Sequence, residues 1–135
     1  MTTMDLPLLE DDLDAPSVMN PREFQAPIDI PPCVVLCFFR EVVESIAARP
    51  DAGQIASFQW EHGTHTLVEF QRNGQRLGVL QPGVGAPLAV GLMEDVVALG
   101  ARTLVAVGGA GALVPDLVLG HAMVVREAVR DEGTP

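Results

Sequence analysis

From residue 33 onward, short apolar runs alternate with polar or glycine-containing stretches, and this pattern predicts an α/β domain. Residues 34–39 and 103–107 are uncharged runs with β-branched side chains, as is typical of strands buried on both faces. Residues 40–49 and 87–100 instead repeat apolar positions at helical spacing. The predicted core-facing positions are Val42, Val43, Ile46 and Ala47 in the first helix, and Leu88, Leu92, Val96 and Leu99 in the second.

The middle of the chain has a β-rich pattern. Residues 54–60, 64–71 and 76–81 predict three strands, and Asn73–Gly74 between the last two is typical of a tight hairpin. This part therefore adds antiparallel strands to the predicted sheet.

The two ends of the chain differ from this pattern. Residues 1–31 are rich in Asp, Glu and Pro and predict an extended or disordered arm, which leaves residues 32–135 as the folded domain. Residues 123–129 predict a last strand, and no helical pattern follows to cover it. A sheet that ends on an uncovered strand is unusual, so the α/β fold looks incomplete.

Charge and hydropathy exclude several classes of partner. The formal net charge of -10 opposes binding to a nucleic-acid polymer or to an anionic membrane surface. No apolar run has the ~18–20 residues of a membrane span, and the N-terminus lacks the basic start of a signal peptide. We expect a cytoplasmic protein.

Four residues are candidates for thiol or metal chemistry. Cys33 and Cys37 would lie roughly 13 Å apart on one face of a strand, too far for a disulfide, so we expect buried, reduced thiols. His62 and His65 lie in or beside a turn. They could form a metal-binding pair, but a solvated hairpin is the simpler interpretation, and we predict no bound metal.

Two glycine loops follow predicted strands, at residues 82–87 and 108–111. Ligands of open α/β sheets bind beyond the carboxyl ends of strands, where small residues let backbone N–H groups approach them. Each loop is thus either a binding loop or a tight turn. The first loop lacks the third glycine of a dinucleotide fingerprint, and no acidic residue ends the next strand, so NAD binding is rejected.

The order of these features resembles the N-terminal half of nucleoside phosphorylases of the purine-nucleoside/uridine phosphorylase family. The resemblance covers about residues 33–135 and is specific from residue 78 onward. It rests on four features: the Gly-Val-Gly loop at 82–87, the helix end Leu-Gly-Ala-Arg-Thr-Leu at 99–104, the Val-Gly-Gly-Ala-Gly-Ala-Leu-Val-Pro-Asp stretch within 107–120, and Val-Arg-Asp-Glu-Gly-Thr at 129–134.

This resemblance implies a phosphorylase/hydrolase-like mixed sheet flanked by helices. Such enzymes cleave the N-glycosidic bond of a nucleoside, with phosphate or water as the attacking group and no other cofactor. The implied ligand is a nucleoside or a nucleobase. The substrate-binding residues expected on this basis are Gly83, Gly85, Gly108, Gly109, Ala110 and Gly111.

The chain also departs from the family pattern where phosphate would bind. Ala106 stands where these enzymes usually have arginine, and Gly109 stands where they have Thr or Ser. A phosphate dianion prefers paired, charge-assisted donors. Arg40 is the remaining cation near the first strand, and is either the phosphate contact or an ordinary surface arginine at a helix start.

The resemblance assigns no catalytic residue, because the family's Met-Glu ribose clamp and base-reading acid lie beyond the matching part. We expect a nucleoside phosphorylase-like chain that is inactive alone, whether as a natural truncation, half of a split gene or a fragment. A water-using nucleosidase and a non-catalytic assembly subunit are the alternatives. We also expect a homo-oligomer, because an uncovered strand edge recruits further chains.

Overall fold

The computed structural model describes residues 19–129. Its elements follow the order helix, strand, helix, three strands, helix, strand. The helices are α1 (Pro21–Phe24), α2 (Arg40–Ala47) and α3 (Ala86–Leu99), and the strands are β1 (Cys33–Cys37), β2 (Gly53–Trp60), β3 (Gly63–Arg72), β4 (Gln75–Leu80) and β5 (Thr103–Val107).

These strands form one mixed five-stranded sheet in the order β2-β3-β4-β1-β5. β1 pairs in parallel with both β4 and β5, whereas β3 pairs antiparallel with both β2 and β4. The predicted α/β class and mixed sheet are therefore confirmed.

The two long helices cover opposite faces of the sheet because the chain crosses it in opposite directions. The connection through α2 leads from β1 past β4 and β3 to β2. The connection through α3 leads in the opposite direction, from β4 past β1 to β5. Right-handed crossovers in opposite directions place their helices on opposite faces. One core accordingly contains Leu92 and Val96 of α3, and the other contains Val43 of α2.

The sequence of β1 matches this double coverage. Val34 and Leu36 lie in the core beneath α3, and Cys37 lies with the α2 core, as the two-residue period of a strand requires. Both cysteines are free, Cys37 buried and Cys33 half-buried. The two thiols are thus free as predicted, but the predicted burial is complete only for Cys37.

The predicted hairpin between β3 and β4 is also confirmed. Asn73 and Gly74 have φ angles of 52° and 75°, and Arg72 pairs with Gln75 across the turn. Positive φ at both central positions is the mark of a type I′ turn, which the Asn-Gly pair favours.

Two predictions about the C-terminal part are wrong. β5 is a strand, but it lies at the edge of the sheet, with Val105 43 % and Val107 41 % exposed. Residues 123–129 form no strand and are exposed. Apolar, β-branched sequence stabilises a strand only where a neighbouring strand and a packed face receive it, and no described strand pairs with this segment.

Part of the predicted arm packs onto the domain. Residues 1–18 lie outside the described residues, as do residues 130–135. Asn20 caps α1, the N–H of Ile28 donates to the carbonyl of Leu99 at 3.1 Å, and Ile30 is buried in the α3 core. The short helix was not predicted, and the domain boundary at residue 31 stays a prediction.

Arg76 ties this segment to the sheet through two carboxylates. Its guanidinium binds Glu69 in β3 through two hydrogen bonds of 2.6 and 2.9 Å, and it donates to Asp29 at 2.9 Å. These hydrogen bonds hold the pKa values of Glu69 and Asp29 below their ordinary range.

In the part of the chain that the structure describes, no helix is long and apolar enough to cross a membrane.

Gly78 offers a test of how tightly β1 and β4 pack beneath α3. It pairs with Val34, and a Cβ atom on Gly78 would lie 2.9 Å from Val34 Cγ2 and 3.3 Å from Leu67 Cδ1. Gly78→Val should lower the free energy of unfolding by about 1–3 kcal/mol, measured by urea denaturation. Gly53→Val is the matched control, because a Cβ there meets nothing within 4 Å. Equal unfolding midpoints for the two variants would contradict this packing.

Candidate functional site

The parallel strands β4, β1 and β5 end side by side, so the loops that follow them share one edge of the sheet. The exits of β1 and β5 are joined directly, since the N–H of Phe38 donates to the carbonyl of Val107 at 2.9 Å. Gly108 and Gly109 follow β5 and lie against the rings of Phe38 and Phe39, respectively.

The neighbouring strands β1 and β4 continue into helices on opposite faces, which makes their shared end a topological switch point. Loops that diverge in this way leave a crevice, and ligands of open α/β sheets bind there. A cleft of about 660 Å³ reaches this edge from the α2 face of the sheet, and its volume is within the range of small-molecule sites. It lies between α2, the start of β2, β3 and the loop after β4. Its polar lining includes Arg40, Glu44, Thr64, His65, Thr66 and Gln81.

The predicted site residues divide between this cleft, hereafter the switch-point crevice, and the loop after β5. Arg40 and Gly83 line the crevice, and Gly85 stands nearby at the start of α3. Gly108, Gly109, Ala110 and Gly111 are exposed and do not line it. The described residues therefore present the two glycine loops at one sheet edge without closing them into a single pocket.

Gly83 and Gly85 are required for different structural reasons. A Cβ on Gly83 would clash with the side chain of Leu88 in α3, whereas Gly85 has φ +103°, a conformation that L side chains rarely adopt. Gly111, in the second loop, lacks positive φ, and a Cβ there would meet nothing within 4 Å, so its backbone does not require glycine.

Arg40 enters the crevice lining already paired. Its Nε donates to Glu44 Oε1 at 2.7 Å, one helical turn on, and its side chain is 73 % exposed. The hydrogen bond to Glu44 raises the pKa of Arg40 above its ordinary value. This ion pair neutralises the positive charge with which Arg40 would bind a phosphate dianion. The role of Arg40 as a phosphate contact stays a prediction.

His65 is a crevice residue that the sequence pattern did not assign to the site. It lies at the start of β3, and its Nδ1 is 3.0 Å from the carbonyl oxygen of Gln81 after β4. Its Nε2 is 2.8 Å from Nε2 of His62. The sequence signal for His65 was its spacing of three residues from His62 beside a turn. Its contact with Gln81 could not be predicted in this way, because it depends on the pairing of β3 with β4.

The lining residues can recognise a polar and largely uncharged ligand. Threonine hydroxyls and glutamine amides offer both donors and acceptors. Among the described residues that line the crevice, Arg40, Glu44 and His65 are the ionisable ones, and Arg40 and Glu44 pair with each other. This composition suits hydroxyl and amide groups better than a multiply charged anion.

The glycine loops offer a paired test of backbone strain. Gly85→Val should lower the free energy of unfolding by about 1–3 kcal/mol because of its positive φ. Gly111→Val should leave the urea midpoint unchanged, because the side chain enters open space. The reverse order of stabilities, or an equal loss in both variants, would show that these loop conformations are wrong.

The family profile and the individual relatives that match this chain all belong to phosphorylases. The sequence profile of the Phosphorylase superfamily matches residues 32–135. A uridine phosphorylase of Thermococcus kodakarensis is 32 % identical over 108 residues, which cover 80 % of this chain and 38 % of that protein. Uridine phosphorylases of Treponema pallidum and Haemophilus influenzae are each 34 % identical, over 43 % and 45 % of this chain and 22 % and 24 % of their own lengths.

These matches agree with the mixed α/β sheet. The chain spans 38 % of the length of the Thermococcus relative, so the match concerns one part of that protein. The profile match covers more than half of the present chain, from just before β1 onward. This chain belongs to the Phosphorylase superfamily.

Proposed function

We propose that this chain provides a nucleoside-binding part of a nucleoside phosphorylase and that the nucleoside binds in the switch-point crevice. The observation that carries the proposal is the crevice itself. It reaches the end of β4, beside the point where β1 and β4 diverge, and its lining combines apolar side chains with polar groups that have little unpaired charge. The relatives named uridine phosphorylase make uridine the first nucleoside to test.

The lining offers suitable partners for a ribose and a base. Thr66 can exchange hydrogen bonds with sugar hydroxyls, and Thr64, whose Oγ1 already donates to Gln59, can accept one. The amide of Gln81 can pair with a base carbonyl or N–H. The loop at 108–111 has no side chain larger than a methyl group, so its exposed backbone is open to a ligand that extends from the crevice. Uridine and inosine both have these groups, so we propose that the crevice accepts a purine nucleoside as well as uridine.

The complete reaction would be cleavage of the N-glycosidic bond. The aligned region corresponds to 38 % of the Thermococcus relative, and the crevice has no carboxylate besides Glu44, which is paired with Arg40. We therefore propose that these 135 residues bind the nucleoside but need a further segment of the family fold for turnover. The exposed edge of β5 is a surface on which such a segment, or a second copy in a homo-oligomer, could pair.

A second candidate is hydrolysis, with water as the attacking group in place of phosphate. The Arg40–Glu44 ion pair favours it, because the one arginine that lines the crevice among the described residues is already paired. Release of base at the same rate with and without phosphate would support hydrolysis. A strict requirement for phosphate would contradict it. We propose a cytoplasmic location for either reaction.

Binding and turnover are tested separately. Calorimetric titration with uridine and inosine should give saturable binding to the 135-residue chain, and Thr66→Val, which removes a hydroxyl that lines the crevice, should weaken it at least severalfold without a large change in the unfolding midpoint. The control is Arg72→Ala, on the hairpin at the opposite end of β4, which should bind as the unsubstituted chain does. Chromatography of the same mixtures should show no free base. Absence of binding, or equal binding by Thr66→Val, would contradict the proposed site.

Turnover has its own decisive outcome. If the 135-residue chain releases uracil or hypoxanthine at enzymatic rates as a stable monomer by light scattering, the proposed need for a further segment is wrong. If it binds nucleosides without cleaving them, binding and catalysis are separable, as proposed.

A further inference from the structure

His62 and His65 bring two imidazole rings together at the turn between β2 and β3. Their Nε2 atoms are 2.8 Å apart, and the ring centroids are separated by 4.9 Å. His62 is exposed, while His65 is half-buried at the edge of the switch-point crevice. The proposed nucleoside binding assigns no role to this pair.

The contact with Gln81 determines which nitrogen of a neutral His65 has the lone pair. A carbonyl oxygen can only accept, so the 3.0 Å contact requires that Nδ1 of His65 donate its hydrogen to Gln81. The Nε2 atom of neutral His65 is then unprotonated and points toward His62. A histidine held by a backbone carbonyl through one nitrogen, with the other left bare, has the arrangement typical of a metal ligand.

We propose that His62 and His65 form a binding site for a divalent transition-metal ion, with Nε2 of each ring as a ligand. In the metal-free pair, Nε2 of His62 donates to Nε2 of His65. When the metal binds, that proton is transferred through solvent to Nδ1 of His62, where the structure describes no hydrogen-bond partner. The exposed His62 ring can turn to direct its lone pair at the metal. Water fills the remaining positions.

The separation of the two nitrogens favours a particular class of metal. With metal–nitrogen bonds of ~2.0 Å, two ligands 2.8 Å apart subtend an angle of about 90° at the metal. Tetrahedral coordination needs a separation of roughly 3.3 Å, whereas tetragonal and octahedral coordination place neighbouring ligands at about 90°. The metal-free spacing is therefore nearest to the 90° geometry of Ni²⁺ or Cu²⁺, and because the His62 ring turns on metal binding, Ni²⁺ is the first ion to test and Zn²⁺ is the comparison.

The surroundings are compatible with a hydrated cation. His62 is exposed, so solvent can reach its ring and supply the remaining metal ligands. The net charge of -10 attracts cations. No group of three or more His, Cys, Asp or Glu side chains within residues 19–129 could hold a metal, so the proposed site has two protein ligands.

Calorimetric titration with Ni²⁺ tests the site directly. The tag-free 135-residue chain is titrated in a non-chelating buffer at neutral pH. Ni²⁺ is preferable to Cu²⁺ because it does not oxidise thiols such as Cys33. We expect one site per chain. His62→Gln and His65→Gln should each weaken binding at least about tenfold, because each removes one of two protein ligands. The matched control is His121→Gln, which removes the third histidine and should bind Ni²⁺ as the unsubstituted chain does.

His62→Gln is the more informative variant, because His65 also holds Gln81 and its loss could disturb the loop after β4. Melting temperatures accompany each titration to report folding. Equal Ni²⁺ affinity in the unsubstituted chain and His62→Gln would overturn the proposal, even if His65→Gln binds weakly. Absence of measurable Ni²⁺ binding by the unsubstituted chain would overturn it as well.

Discussion

The parallel pairing of β1 with both β4 and β5 is the constraint on which the rest of this structure depends. It sets β1 inside the sheet, so its side chains must be apolar on both faces, and Val34, Leu36 and Cys37 meet that requirement. It also forces the two crossover connections to run in opposite directions, which places α2 and α3 on opposite faces. The divergence of the chain after β1 and β4 then creates the switch-point crevice.

The chemistry of the crevice follows from which side chains this arrangement brings together. The antiparallel pairing of β3 with β4 places Thr64, His65 and Thr66 beside the end of β4, so a hairpin strand contributes to a site at the end of the parallel strands. Arg40 reaches the same place from the start of α2, but Glu44 already pairs with it. A crevice with hydroxyls, amides and little unpaired charge is consistent with binding of a nucleoside, as proposed for this member of the Phosphorylase superfamily.

Local signals in the sequence predicted most of the elements. Helical spacing located α3, whose predicted face from Leu88 to Leu99 packs in the core, and the Asn-Gly pair located the β3–β4 hairpin. These features depend on a few neighbouring residues. The burial of β5 was predicted wrongly because its apolar run does not encode its place in the sheet, and an edge strand can be as apolar as a central one. The segment 123–129 shows the same limit, since strand propensity is realised only against a partner.

The residues of the candidate site could be predicted from the sequence about as well as the elements of the fold. The glycine loops after β4 and β5 were located from sequence, and Gly83 does line the crevice. The contact between His65 and Gln81, the pairing of Arg40 with Glu44 and the absence of strain at Gly111 all depend on three-dimensional geometry. Residue types identified candidates for binding, but only the fold shows which of them face the same cavity.

Hydrogen–deuterium exchange with and without saturating uridine tests the central claim most directly, because it locates the bound nucleoside on the chain. Binding at the switch-point crevice predicts slower exchange in peptides that contain residues 38–40, 64–66 and 81–85, with the hairpin at 72–75 unchanged. Another cleft of about 300 Å³ lies between Asn20 and Met93, on the α3 side of the molecule. Uridine-dependent protection confined to that cleft, or no protection at the ends of β1 and β4, would contradict the proposed site.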